Sequence, residues 1–228
     1  MNELFSRTEL ILGEDCTDIL KGKSVILFGL GGVGSYAAEA LARSGIGKLT
    51  LVDNDVIAES NRNRQLYALC STMGKFKTEV AENRIKDINP DCNVTVIPEF
   101  CLPENIDVFF GAEYDYIADA IDTVSAKLAI IEKGKALGIP VISCMGTGNK
   151  TDPTQLRISD IYKTSVCPLC RVMRYELRQR NISSLRVIWS PETPVRSGSR
   201  TPGSVPFVPP VAGMLMAREI TLNLLDKG

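Results

Sequence analysis

Six residues, Gly29-Leu30-Gly31-Gly32-Val33-Gly34, join an apolar run, SVILF at 24–28, to an Ala-rich stretch that continues to residue 44. Glycines at this spacing permit a tight turn from strand to helix, and they let backbone N–H groups at the helix start approach a phosphate. The same alternation continues down the chain. Apolar β-branched runs at 24–29, 48–52, 93–97, 114–118 and 140–144 predict strands, and helical patterns at 34–44, 75–88 and 125–137 separate them. Strands that read as continuous apolar runs, with helices between them, belong to a parallel sheet covered on both faces. The expected fold is therefore α/β: a Rossmann-like, doubly wound, mostly parallel sheet.

Beyond residue 151 the pattern changes. Short strands are expected over 155–159 and 185–189, with a basic helix over 169–180 between them. An amphipathic helix over 211–225 closes the chain. Six Pro, two Gly and several Ser crowd 190–210, which predicts a flexible, exposed loop. Residues 1–228 are read as one domain, with a nucleotide-binding core at 1–150 and a C-terminal strand and helix extension at 151–228 that meets the substrate.

Histidine is absent, which rules out a Ser-His-Asp triad, a Cys-His dyad and any histidine-ligated metal. Seven cysteines, irregularly spaced, do not describe a disulfide scaffold and suggest a reducing compartment. The N-terminal MNELFSRTELILGEDC lacks the basic and apolar blocks of a signal peptide, and no stretch reaches the roughly 18 apolar residues of a membrane span. A cytoplasmic protein without a membrane partner is expected. Charge is divided unevenly: residues 1–150 carry 15 Lys and Arg against 21 Asp and Glu, residues 151–228 carry 11 against 6. Either the C-terminal part meets a large anion, or both are ordinary solvated surfaces.

About 20 residues after the glycine turn, Asp53 closes the second strand, where an acid holds ribose hydroxyls. Those two features alone would suggest NAD. The residues that follow point elsewhere: Asp55, then Asn61-Arg62-Asn63-Arg64-Gln65, then Lys77, and later Asp119-Ala120-Ile121-Asp122. The clustered cations Arg62, Arg64 and Lys77 suit a triphosphate better than a dinucleotide. A carboxylate such as Asp122, at the C-terminal end of a parallel strand, could hold Mg²⁺ against those phosphates. The alternative reading makes Asp122 a helix cap and the cations solvated.

GLGGVGSYAAEALARSGIG, LVDNDVIAESNRNRQ, GKFKTEVA, INP and DAID stand in the order and spacing of the ubiquitin-activating-like adenylating enzymes, and over residues 5–150 the chain resembles that ThiF/MoeB/HesA superfamily. The resemblance implies ATP bound by Gly29, Gly31, Gly32, Gly34, Asp53 and Asp55, with Asn61, Arg64, Gln65 and Lys77 at the phosphates and Asp122 at Mg²⁺. It also implies attack of a carboxylate on the ATP α-phosphate, with Arg64, Lys77 and Asp122 in catalytic roles. A homodimer is implied too, in which Arg7 would reach the neighbour's ATP, although Arg7 reads equally as a surface residue of a first helix. A monovalent cation is a further candidate ion.

Superfamily members with a structural zinc commonly have two C-x-x-C pairs. This chain has one, Cys167-Pro168-Leu169-Cys170, and no cysteine after it. Half a tetrahedral site is not a site unless a dimer completes it; a metal held that way, a redox pair, or a helix start with buried thiols stays open. MGTGNKTDPTQLRISDI and SVPFVPPVAGMLMA resemble instead the tRNA threonylcarbamoyladenosine dehydratases of the same superfamily. That likeness implies tRNA as substrate, adenylation of a threonyl carboxylate, and ring closure by the substrate's own ureido nitrogen. The alternative within the superfamily is adenylation of a sulfur carrier's C-terminal glycine, and a sulfur-mobilising protein is a further candidate partner. Arg171, Arg174 and Arg178 recur at i, i+3 and i+7, one helical face that fits tRNA phosphates, with Arg180, Arg186, Arg196 and Arg200 near in sequence. The competing reading is a solvated face with Val172, Met173 and Leu177 turned to the core. Tyr162, Trp189 and Phe207 are candidates for stacking on a loop base.

Overall fold

The computed structural model describes residues 3–195, 198–199 and 201–227. Its centre is β1 (Ser24–Phe28), whose last four residues are fully buried, as a strand covered on both faces requires. It pairs in parallel with β2 (Lys48–Val52) on one side and with β4 (Tyr116–Asp119) on the other. With β3 (Asn93–Ile97), β5 (Val141–Cys144), β6 (Arg157–Asp160) and β7 (Arg186–Trp189), the order is β3-β2-β1-β4-β5-β7-β6. All neighbours run parallel except β6, which returns antiparallel along β7. The expected doubly wound sheet is present. Its order reverses between β1 and β4, and the crevice outside the C-terminal ends of those strands is where such sheets bind ligands.

Seven helices flank the sheet in the described residues: α1 (Ser6–Leu12), α2 (Cys16–Lys21), α3 (Gly34–Ser44), α4 (Lys77–Ile88), α5 (Val124–Leu137), α6 (Pro168–Gln179) and α7 (Val208–Leu224). One apolar core gathers α3, α4 and α7 against Val25, Leu27, Leu49 and Leu51; the other gathers α5 and α6 against Ile26, Phe28, Ile117 and Val187. Adjacent residues of β1 thus serve opposite cores, as the period of a strand dictates.

Helix α7 crosses α3 at Gly213, where a Cβ would stand 2.3 Å from the Val33 carbonyl oxygen. Gly213→Ala should therefore force the helices apart and lower stability by about 1–3 kcal/mol, read as a shifted urea midpoint at unchanged m-value.

One boundary changes. The Pro-rich segment ends three residues earlier than expected, because Pro209 and Pro210 lie in the first turn of α7, where a missing N–H costs nothing. Described residues within 190–205 are hydrogen-bonded to the segment at 149–152. Lys150 Nζ donates to the Ser190 and Glu192 carbonyls at 3.0 Å each, and Glu192 accepts from the Thr151 and Asp152 N–H groups. Asn149 bonds both Gly203 and Val195.

Candidate functional site: a nucleotide cavity at the switch point

The turn after β1 needs its glycines for two separate reasons. Gly29 has φ +90°, left-handed backbone that disfavours side chains. Gly34 begins α3 so close to that turn that a Cβ would lie 1.7 Å from the Gly29 carbonyl oxygen. The loop is thereby folded back against the end of β4, beside a cavity of about 730 Å³. Gly29, Gly31 and Gly32 line that cavity together with Asp53, Asp55, Asn61, Arg64, Gln65, Lys77 and Asp122. The sequence places these residues on five separate segments; the fold collects them.

Asp53 is fixed by the loop it serves. Its Oδ2 accepts the Leu30 N–H at 2.6 Å and its Oδ1 the Asp55 N–H at 2.8 Å. Burial pushes its carboxyl above the ordinary range, opposed by the charge of Lys77 and by those two N–H groups. Lys77 opens α4 with its side chain only 5% exposed, its Nζ 2.6 Å from Asp55 Oδ2 and 3.7 Å from Asp53 Oδ1. A lysine so placed carries its charge at the cavity wall in fixed position. Arg64 lies across the glycine loop: a methyl on Gly32 would stand 3.2 Å from its Cγ, and its guanidinium donates to the Ser60 carbonyl and to Asn63 Oδ1. Arg62, the third cation of the expected cluster, is instead exposed, pairs with Glu59 at 2.5 Å, and does not line the cavity.

Asp119 and Asp122 part company. Asp122 is exposed on the cavity wall. Asp119 is fully buried against Lys127, which is also fully buried, with Nζ 2.9 Å from Oδ2 and 3.1 Å from Oδ1. Lys127 donates further to Ser143 Oγ at 3.2 Å and to the Cys144 carbonyl at 2.8 Å, and Ser143 Oγ donates to Asp119 at 2.5 Å. Asp119 Oδ1 also accepts the Ile121 N–H, one residue before Asp122. This network ties together the ends of β4 and β5, which form one wall of the cavity. Sequence reasoning missed it, although a lysine inside the apolar stretch of α5 was a signal.

A divalent ion is implied by the resemblance. Among the described residues, no group of three or more acidic or cysteine side chains could hold a metal by itself. A single cavity-facing carboxylate fits an ion shared with phosphate oxygens, the usual habit of Mg²⁺, and Asp122 is the residue that would hold it.

Of the basic helix, Cys170, Met173 and Leu177 form the buried side, while Val172 is exposed. Arg174 is half-buried and donates to the Thr164 carbonyl and hydroxyl. The Arg178 guanidinium lies 5.2 Å over the Tyr162 ring. Arg171 is exposed, with no described partner. Arg180 pairs with Glu176 and Glu132, and Arg186 with Glu219. Arg196 and Arg200 lie outside the described residues. Trp189 is buried and donates to Ser159 Oγ, which removes it as a stacking platform; Phe207 is exposed. Arg7 sits on exposed α1 and does not line the cavity. No helix among the described residues is long and apolar enough to cross a membrane.

The sequence profile of the ThiF family matches residues 5–228. The chain is 41% identical over 239 residues to a Bacillus subtilis tRNA threonylcarbamoyladenosine dehydratase, covering 97% of this chain and 94% of that protein. A Haemophilus influenzae protein of the same name is 48% identical over 160 residues, which span 70% of this chain and 61% of that one. Among solved structures, Escherichia coli tRNA N6-threonylcarbamoyladenosine dehydratase in complex with ATP superposes with a TM-score of 0.93 at 34% identity, over 99% of this chain and 95% of that one.

Proposed function

From membership of the ThiF family, to which this chain belongs, we propose that the protein is an ATP-dependent tRNA threonylcarbamoyladenosine dehydratase. One observation carries the reading. The glycine loop, Asp53, Arg64, Lys77 and Asp122 converge on a single cavity at the switch point, in a chain similar along almost its whole length to an ATP complex of that enzyme.

The residues supply what adenylation asks for. A threonyl carboxylate is ionised at neutral pH, so its attack on the α-phosphate needs no general base, and a chain without histidine can catalyse it. The work left is alignment of two anions and relief of their repulsion. Glycine-loop N–H groups receive phosphate oxygens, Asp53 faces the ribose, and Arg64 and Lys77 offset charge at the phosphates. Mg²⁺, held by Asp122, would supply further charge stabilisation there. Ring closure by the substrate's ureido nitrogen then expels AMP without an enzyme nucleophile.

Nucleoside mass spectrometry of tRNA tests the proposal. Incubation with the protein and ATP should convert threonylcarbamoyladenosine to a product lighter by one water. Pyrophosphate release that depends on a small protein ending in Gly-Gly, and not on tRNA, would favour the sulfur-carrier alternative instead. Asp122→Asn should keep the fold and raise the Mg²⁺ needed for half-maximal turnover by about 10–100-fold.

For tRNA, α6 starts at the cavity, which Cys167, Pro168 and Leu169 line, and carries Arg171 and Arg178 outward from it. Removing one arginine that touches a phosphate should flatten the salt dependence of tRNA binding by about one log–log unit or less. Arg171→Ala and Arg178→Ala should each do this without changing ATP affinity, as measured by tRNA titrations at several salt concentrations. Arg174→Ala should loosen Thr164 as well, because its guanidinium is already engaged. A homodimer is supported by α1, which leaves Leu10 and Ile11 84% and 83% exposed beside Arg7. We assign no surface to a sulfur-mobilising partner.

A further inference from the structure

We propose that Cys167 and Cys170 form a peroxide-oxidisable dithiol in the wall of the nucleotide cavity, one that closes to an intramolecular disulfide. This goes beyond the adenylation reading, which uses neither thiol.

The geometry is that of a nucleophile and its resolving partner. Cys167 is the N-cap residue of α6, a helix of 12 residues, and Cys170 follows one turn later on the buried side. The Cys170 thiol bears most on the Cys167 sulfur, and the Cys170 and Leu169 N–H groups of the first helical turn act in the same direction. With the Lys150 ammonium nearby, they hold the Cys167 thiol well below its ordinary range, against the opposing effect of burial. The resolving Cys170 moves the other way and stays protonated, first because its hydrogen is donated to Cys167 and then because it is buried.

Position selects this pair from the other cysteines. Cys101 and Cys144 line the same cavity, but burial pushes both of their thiols up to about 12. They remain thiols at neutral pH and react slowly, since the thiolate is the nucleophile. Cys167 is almost wholly shielded from bulk solvent, yet it lines the cavity, which a molecule as small as peroxide can enter. The backbone also commits Cys167 to this place. Val166, immediately before it, has φ +60°, a left-handed conformation that is a true outlier for a β-branched residue.

The chemistry balances with peroxide as the oxidant. The Cys167 thiolate attacks one peroxide oxygen, the O–O bond breaks, and the departing hydroxide takes a proton to become water, leaving a sulfenic acid. The Cys170 sulfur then attacks the Cys167 sulfur. The S–O bond breaks, hydroxide leaves with the Cys170 proton as a second water, and the S–S bond forms. Two thiols lose two electrons in all, and peroxide gains them.

The test uses the whole chain without nucleotide, so that it does not depend on what the cavity binds. Reduced protein is treated with hydrogen peroxide at neutral pH, quenched with an alkylating agent and mapped by peptide mass spectrometry. The expected product is a Cys167–Cys170 disulfide, lighter than the dithiol by about 2 Da, formed at least about tenfold faster than oxidation of exposed Cys70. In Cys170→Ser, oxidation should stop at a Cys167 sulfenic acid that dimedone traps. Oxidation of Cys70 while Cys167 and Cys170 both remain alkylatable would overturn the proposal, as would sulfinic acid at Cys167 with no disulfide in the wild-type chain. A second arm separates this from the nucleotide reading. Saturating ATP should slow disulfide formation, and a rate unchanged by ATP would count against ATP filling the cavity, not against the dithiol.

Discussion

Lys127→Met should lose about 3–5 kcal/mol of stability, because it leaves the Asp119 carboxylate buried without its counter-charge. Both partners are fully buried, so water cannot take over the missing hydrogen bonds. Four hydrogen bonds end at once: two to Asp119, one to Ser143 Oγ and one to the Cys144 carbonyl. Methionine fills most of the volume, which confines the effect to charge and hydrogen bonding. Urea unfolding followed by circular dichroism measures it. The double variant Asp119→Asn/Lys127→Met should recover part of the loss, since a neutral amide replaces the stranded charge, and with Asp119→Asn measured alone the cycle gives the coupling between the two residues. A single variant within about 1 kcal/mol of wild type would show that the pair does not hold the ends of β4 and β5 together.

The second large effect is on catalysis. Arg64→Ala should slow AMP formation in a single turnover by about 10²–10³-fold, the usual cost of removing one fixed charge or donor from a transition state. Its partners within the protein are the Ser60 carbonyl and the Asn63 side chain, near the surface, so stability should change by about 1 kcal/mol or less. If the guanidinium acts on charge that develops in the transition state, kcat and kcat/KM fall together; if it only binds ATP, KM rises at constant kcat. Arg64→Lys should restore a part of the rate, since an ammonium supplies the charge but not the planar fork. A turnover number unchanged in Arg64→Ala would remove this residue from the catalytic set.

What was legible in the sequence was local or periodic. Strand and helix periods follow from neighbours within a few residues, and five apolar runs separated by helical patterns suffice to specify a parallel sheet. The glycine loop was legible because close packing admits no other residue at Gly34, and Asp53 because it closes the second strand at the expected distance. The ends of the C-terminal elements were less so. Pro209 and Pro210 read as loop, yet the first turn of a helix accepts proline, and nothing within a few residues distinguishes the two cases.

The tertiary structure decided what becomes of side chains of equal chemistry. Asp119 and Asp122 are two carboxylates three residues apart in one motif. One is buried by the sheet and neutralised by Lys127, eight residues on in the chain; the other faces the cavity. Arg171, Arg174 and Arg178 share a helical face, but Thr164 and Tyr162, folded back from the preceding segment, engage two of them and leave Arg171 exposed. Cys144 and Cys167 line one cavity with thiols shifted in opposite directions, because burial dominates at Cys144 while Cys167 has the Cys170 thiol beside it. Residue type and spacing determine which elements form and what chemistry the chain can carry. Burial and long-range partners, which depend on contacts between segments distant in sequence, determine which of those groups remain charged and which of them face the cavity.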